Sequence, residues 1–289
     1  MLSPSADLAG SPAAAVTRTN EAGRPLTIVH LLRSLETGGQ ELMCARLVER
    51  LDRSRFRPVL LSLQGSGWLE ERLRGAGVPV HCLHAREGFR PGAILRLALL
   101  LRRLEADVLH CHNRKALLYG GLAAALCPGS RVVFTKHGAS FWHGQVLSGV
   151  GRWITRRAAA VVAVSRDIAG PLESHGWTRP GGLRTILNGV DTEEFRPGGD
   201  ARAARCAAGL PPDGPVIGTV ARLSPEKDQL TLLRAFRVVR ERVPGARLLL
   251  VGDGPLRSEL ESAAAELGVA AEVRFAGERT DIPRMLAAM

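Results

Sequence analysis

Residues 216–255 read VIGTVARLSPEKDQLTLLRAFRVVRERVPGARLLLVGDGP, and this stretch decides the fold. Val216–Val220 is a short, β-branched apolar run that stops at Ala221-Arg222. Leu232, Phe236, Val239 and Val243 then recur at helical spacing and predict one apolar stripe for burial. Arg247–Val251 is a second apolar run, broken by Gly252-Asp253-Gly254-Pro255. Strand, helix and strand in this order predict a βαβ unit with parallel strands. Ligands of such sheets bind at the carboxyl ends of the strands. Arg222 and Lys227 both fall in the loop at that edge, just before the helix begins. Two cations beside the free backbone N–H groups of a helix start make a site for a phosphate or diphosphate. Solvated loop charges are the plainer reading of such a pair.

The pattern G-x-x-A-R-L-S-P-E-K-D followed by L-L-x-V-G-D-G-P resembles the donor-binding half of retaining GT-B glycosyltransferases of family 4. The resemblance implies that Arg222 and Lys227 hold the diphosphate of a nucleotide-sugar. A dinucleotide reading of Gly252-Asp253-Gly254 is weaker, because no third glycine opens the following helix.

The 289 residues leave room for about two domains, and 45% hydrophobic with 4% aromatic residues is a soluble profile. A formal net charge of +11 invites a nucleic-acid reading. Of the 39 cationic residues, however, only Lys115, Lys136 and Lys227 are lysines. Arginine, alanine and glycine are what a GC-rich genome tends to write, so much of the charge is spread over helices rather than collected in a patch. There is no zinc-finger or aromatic RNA-binding signature, and no nucleic-acid partner is expected. All three lysines fall in candidate ligand motifs, where a compact ammonium and a planar guanidinium are not interchangeable. The five cysteines are odd in number and scattered without C-x-x-C, which fits reduced thiols in a cytosol. Neither a secretory signal nor a run of ~18 apolar residues is present.

Residues 1–24 are rich in Ala, Ser, Pro and Gly and read as a disordered leader. Leu26–Leu32 is a continuous apolar run, as in a strand buried on both faces. Thr37-Gly38-Gly39 follows and then an amphipathic helix over 40–51. Further strands are expected at 59–63, 78–80, 107–112, 132–138 and 160–164, with helices at 65–74 and 94–104. The alternation predicts a parallel, doubly wound α/β sheet. Gly38-Gly39 is a turn by itself; it also resembles the family's G-G-x-E motif and so implies contact with the donor diphosphate.

His110 and His112 alternate along one strand, on one side of the sheet. With His137 they hint at a metal, yet no further ligand completes a recognisable spacing, and none is expected. His112-Asn113-Arg114-Lys115 and Lys136-His137-Gly138 match the two loops of the first domain that face the donor in this family. The resemblance implies that His137 lies near the transferred sugar and that His112, Asn113 and Lys115 line the cleft. Capping of buried strands is the alternative for these histidines. Phe141, Trp142, Val146, Val150 and Trp153 recur at near-helical spacing beside Arg152, Arg156 and Arg157. Such a stripe suits interdomain packing, or peripheral contact with the inner face of a membrane and a lipid-linked acceptor. Ser165 reads as a helix N-cap and matches the family's cleft serine. Asn188-Gly189 is a turn signal within an N-G-V-D signature that precedes the second domain. Gly252, Asp253 and Gly254 line the cleft by the same resemblance.

The domains expected are a first Rossmann-like domain over 25–195, a linker over 196–214 and a second over 215–289. The resemblance implies a GT-B fold, with two doubly wound domains facing across a cleft and the second incomplete. It implies transfer of a sugar, with retention, from a nucleotide-diphosphate sugar to a sugar or lipid-linked hydroxyl in polysaccharide, glycolipid or envelope synthesis. No cofactor and no metal are expected. Only about three strands follow Val216, and the family's E-x7-E glutamate pair has no counterpart after Pro215. A truncated chain is therefore expected, with a poorly covered second core and little transferase activity. A nucleotide-sugar-binding protein without catalysis remains the alternative.

Overall fold

The computed structural model describes residues 23–36, 38–65, 67–138 and 147–289. Residues 1–22 of the expected leader lie outside them, as do Thr37, Phe141, Trp142 and Val146. The chain divides into two compact units between Asn188 and Gly189.

Among its described residues the first unit holds seven strands: β1 (Leu26–Leu32), β2 (Phe56–Ser62), β3 (Val80–Cys82), β4 (Val108–Cys111), β5 (Arg131–Lys136), β6 (Ala160–Ala163) and β7 (Leu183–Thr185). Six helices alternate with them: α1 (Gly39–Arg50), α2 (Trp68–Gly75), α3 (Pro91–Arg103), α4 (Arg114–Ala125), α5 (Leu147–Arg157) and α6 (Arg166–Ser174). All strands pair in parallel in the order β3-β2-β1-β4-β5-β6-β7. This is the doubly wound order, with its reversal between β1 and β4. The period-two alternation of β1 explains the two cores. Val29 and Leu31 join Leu109 and Cys111 under α3 and α4, while Leu32 joins Leu60, Cys44 and Val48 under α1. Strand β7 carries no apolar run and was not expected from the sequence; β3 begins at Val80 rather than Val78, after Pro79 has used its carbonyl to bond the amide of Leu60. Of the aromatic stripe, Val150 packs half-buried against the core on α5, whereas Trp153 is exposed with the Arg157 guanidinium 4.6 Å above its ring.

In the second unit, α7 (Ala201–Ala207) precedes β8 (Val216–Val220), α8 (Gln229–Arg242), β9 (Arg247–Val251), α9 (Arg257–Glu266), β10 (Val273–Gly277) and α10 (Ile282–Ala287). The three strands are parallel in the order β10-β9-β8. Both faces of the central strand, β9, are covered. Leu248 and Leu250 pack with Leu233, Phe236 and Leu260 of α8 and α9 on one side. Leu249 and Val251 pack with Ala204, Met285 and Ala288, contributed around α7 and α10, on the other. The expectation of a poorly covered core needs correction around β9, while β8, at the sheet edge, is half-buried to exposed throughout. The linker over 196–214 needs correction as well, because α7 within it supplies Ala204 to that second layer. On α8 the buried positions are Gln229, Leu233 and Phe236, while Val243 lies past the helix end and is exposed. Burying Phe236 alone contributes about 2 kcal/mol.

Candidate functional site

The loop after β8 carries both expected cations. Ser224 leads into a short 3-10 turn, Pro225–Lys227, and Asp228 then opens α8. Asp228 has φ 51°, a left-handed conformation unusual for a residue other than glycine, and its carboxylate accepts from the Thr231 amide. Arg222 and Lys227 are exposed. Between them stands Glu226, whose carboxyl is held below its usual range, chiefly by the Ser224 hydroxyl at 2.6 Å, with its own backbone N–H and both cations contributing. Gln229, which sequence reasoning passed over, is 1% exposed and donates from Nε2 to the Arg222 carbonyl at 2.9 Å. It ties the start of α8 to the residue that carries the guanidinium.

The neighbouring loop is the reason for Gly252-Asp253-Gly254. The Leu223 amide donates to the Asp253 carbonyl at 3.0 Å, and the Leu256 amide returns to the Leu223 carbonyl at 3.2 Å. A Cβ on Gly252 would strike the Ala221 carbonyl, and one on Gly254 the Leu223 carbonyl. Gly252 also has φ 130°. Here the glycines serve close backbone approach between the two loops that border the sheet edge.

In the first unit, β1, β4 and β5 bring four histidines together at their carboxyl ends. His30 pairs in register with His110, and the rings of His110 and His112 lie 4.1 Å apart, on one side of the sheet as expected. His30 Nδ1 is 3.1 Å from His112 Nε2, and His112 Nδ1 is 3.2 Å from His137 Nε2. His110 Nε2 lies 2.8 Å from the Thr135 hydroxyl. Burial pushes His110 and His137 down to about 4 and drives His30 and His112 well below their usual value. All four rings are neutral at pH 7. His30 escaped notice in the sequence because the run around it reads as uniformly apolar. Cys44 Sγ lies 3.5 Å from His112 Nε2, and the donor atoms of His30, Cys44 and His112 all fall within 4.8 Å of one another. All five cysteines are free thiols.

The other expected residues take more local roles. Asn113 caps α4 by accepting from the Ala116 amide at 2.9 Å, and Ser165 caps α6 by accepting from Ile168 at 3.3 Å. The Lys115 ammonium sits 5.9 Å over the Tyr119 ring, and partial burial and Arg33 lower its pKa. Lys136 is 9% exposed and its pKa is likewise lowered by burial. Gly38 stands at the N-cap of α1, where a Cβ would meet the Glu41 carboxylate, while Gly39 leaves open space. Burial raises the Glu41 carboxyl. Asn188 is exposed at the end of the first unit. Arg222 and Lys227 lie in the second unit and the histidines in the first.

Residues 37–194 match the model of Glycosyltransferase Family 4, and residues 200–289 match that of Glycosyl transferases group 1. A GDP-mannose-dependent alpha-(1-6)-phosphatidylinositol monomannoside mannosyltransferase of Mycobacterium tuberculosis is 30% identical over 83% of this chain and 64% of its own length. A UDP-Gal:alpha-D-GlcNAc-diphosphoundecaprenol alpha-1,3-galactosyltransferase of Escherichia coli is 27% identical over 76% of this chain and 60% of its own. The chain thus spans about three-fifths of these curated relatives. Among solved structures, Anabaena HepE in complex with UDP and glucose superposes with a TM-score of 0.77 at 25% identity, covering 91% of this chain and 72% of that one. The parallel doubly wound sheet, the match across residues 37–194 and the GT-B neighbour agree, and the chain belongs to Glycosyltransferase Family 4.

Proposed function

We propose that this chain serves a retaining glycosyl transfer from a nucleotide-diphosphate sugar, with Arg222 and Lys227 receiving the diphosphate. The observation that carries the reading is the pair of exposed cations on the loop after β8, at the carboxyl edge of a parallel sheet and beside the start of α8. Glu226, the acid between them in the chain, is exposed and held chiefly by the Ser224 hydroxyl at 2.6 Å. The curated relatives named above use GDP-mannose and UDP-Gal, and HepE holds UDP and glucose. Those relatives act on a phosphatidylinositol mannoside and a diphosphoundecaprenol-linked sugar, which supports a lipid-linked or sugar hydroxyl as acceptor.

Breaking the sugar–phosphate bond leaves negative charge on the diphosphate. Cations fixed beside that oxygen are most effective when they need no rearrangement, and the Gln229 bond to the Arg222 carbonyl gives the loop that rigidity. The acceptor hydroxyl then attacks the face of the anomeric carbon that the phosphate leaves. His137, neutral and half-buried, is the residue of the first unit assigned to the sugar. Any peripheral membrane contact would fall to α5, with Trp153 exposed beside Arg157; no helix among the described residues is long and apolar enough to cross a membrane.

The test is a panel of UDP- and GDP-sugars in thermal-shift and transfer assays on the full-length protein. A donor at 100 times its Kd adds about 2.7 kcal/mol to stability. Arg222→Ala and Lys227→Ala should each lower transfer about 10²-fold or more. Transfer at an unchanged rate in both variants overturns the assignment.

A further inference from the structure

We infer that His30, His112 and His137 form a tautomer-coupled imidazole wire, through which the remote His30 decides which nitrogen of His137 carries the proton. Both links are head-to-tail, Nδ1 of one ring facing Nε2 of the next. The ring centroids are 5.4 Å and 5.5 Å apart for N···N distances of 3.1 Å and 3.2 Å. In both pairs the difference is about one ring radius at each end, so the facing nitrogens lie along the line of centres. That is the geometry of a linear N–H···N hydrogen bond.

Each neutral ring has one N–H donor and one acceptor nitrogen. Only two proton assignments satisfy both links: every ring protonated on Nδ1, or every ring protonated on Nε2. A mixed file sets two N–H groups or two lone pairs against each other. The free ends of the file are His30 Nε2 and His137 Nδ1, and both are buried without a partner. One of them must therefore bear an unmet N–H. His30 is 1% exposed, whereas His137 is half-buried; the unmet donor costs less at the end nearer to water. That difference selects the Nδ1–H form throughout. His137 then presents an N–H at its free nitrogen and would take an oxygen acceptor, such as a hydroxyl, ring or phosphate oxygen.

The donor atoms of His30, Cys44 and His112 also resemble a three-ligand metal set. In the linear arrangement, however, His30 Nδ1 and His112 Nε2 face each other rather than a common third point, which favours the wire. His30 is thus a positioning residue. What His137 does for a ligand rests on the transferase reading; the wire does not.

Long-range 1H–15N spectra of the 15N-histidine-labelled, EDTA-treated full chain at pH 7 test this without an activity assay. The expected result is Nδ1–H on all three rings. His30→Phe keeps an aromatic ring and removes the nitrogen, and in the folded variant the His137 nitrogen shifts should move toward a tautomer mixture. Mixed tautomers in the wild-type file, or unchanged His137 shifts in folded His30→Phe, overturn the wire. A uniform Nε2–H file overturns the donor assigned to His137. One equivalent of Zn²⁺ should leave the spectrum unchanged; loss of the His30 and His112 N–H signals on its addition overturns the wire in favour of a chelate. Should His30→Phe fail to fold, the wild-type pattern decides alone.

Discussion

His112 Nδ1 stands 3.2 Å from His137 Nε2, joining the loop after β4 to the loop after β5. The contact holds two of the residues assigned to the donor in one orientation, and it requires that at least one ring stay neutral. That requirement sets the pH behaviour of the first unit. The folded values lie below 6.5 for His30, His110, His112 and His137, at about 4 for His110 and His137. Unfolded histidines take up protons near pH 6.5, before the folded ones do. Stability is therefore fully present above about pH 6.5 and falls as the pH drops toward 4. Each pH unit in which one unfolded ring is charged and its folded counterpart is not costs about 1.4 kcal/mol. Urea melts of the first unit's fluorescence between pH 8 and 4 should show this loss; a flat profile contradicts neutral burial.

Arg222 and Lys227 are exposed and make no packing contribution to the second core. Lys227→Ala and Arg222→Ala should each change unfolding free energy by less than about 0.5 kcal/mol while abolishing the thermal shift given by a nucleotide-sugar. A large loss of stability in the free protein would assign these side chains a structural role instead.

Gly252→Ala should behave in the opposite way. The new Cβ meets the Ala221 carbonyl, and φ 130° is strained for any L side chain. A cost of about 2–4 kcal/mol is expected in denaturant melts of the second unit, with weaker donor binding as the loop carrying Arg222 is displaced. Gly39→Ala, where a Cβ meets nothing, provides the control in the first unit: near-wild-type stability is expected there.

Asn113→Ala removes the cap of α4 and should cost about 1 kcal/mol, whereas Asn113→Asp or Asn113→Ser should recover most of it. If donor binding also falls in the capped Asn113→Ser variant, Asn113 touches ligand as well as helix; unchanged binding leaves it a cap.

The sequence by itself determined the parallel α/β class, because apolar runs of β-branched residues alternate with helical stripes and both periods are local. It placed β1, β8 and β9 to the residue, and it located the Ala221-Arg222 and Gly252-Asp253-Gly254 loops by their breaks in pattern. Local chemistry also named the Ser165 cap, since its hydroxyl bonds an amide only three residues away; the equally local cap by Asn113 was read only as cleft lining. The grouping of His30 with His112 and His137 was decided by the tertiary structure, because it depends on the register of β1 against β4 and on β5 lying next in the sheet. The need for Gly252 and Gly254 was decided there too: the carbonyls that exclude a side chain lie some thirty residues earlier in the chain, brought close by the pairing of β8 with β9. Residues distant in sequence meet only when sheet order and register are fixed, and a one-dimensional pattern carries neither.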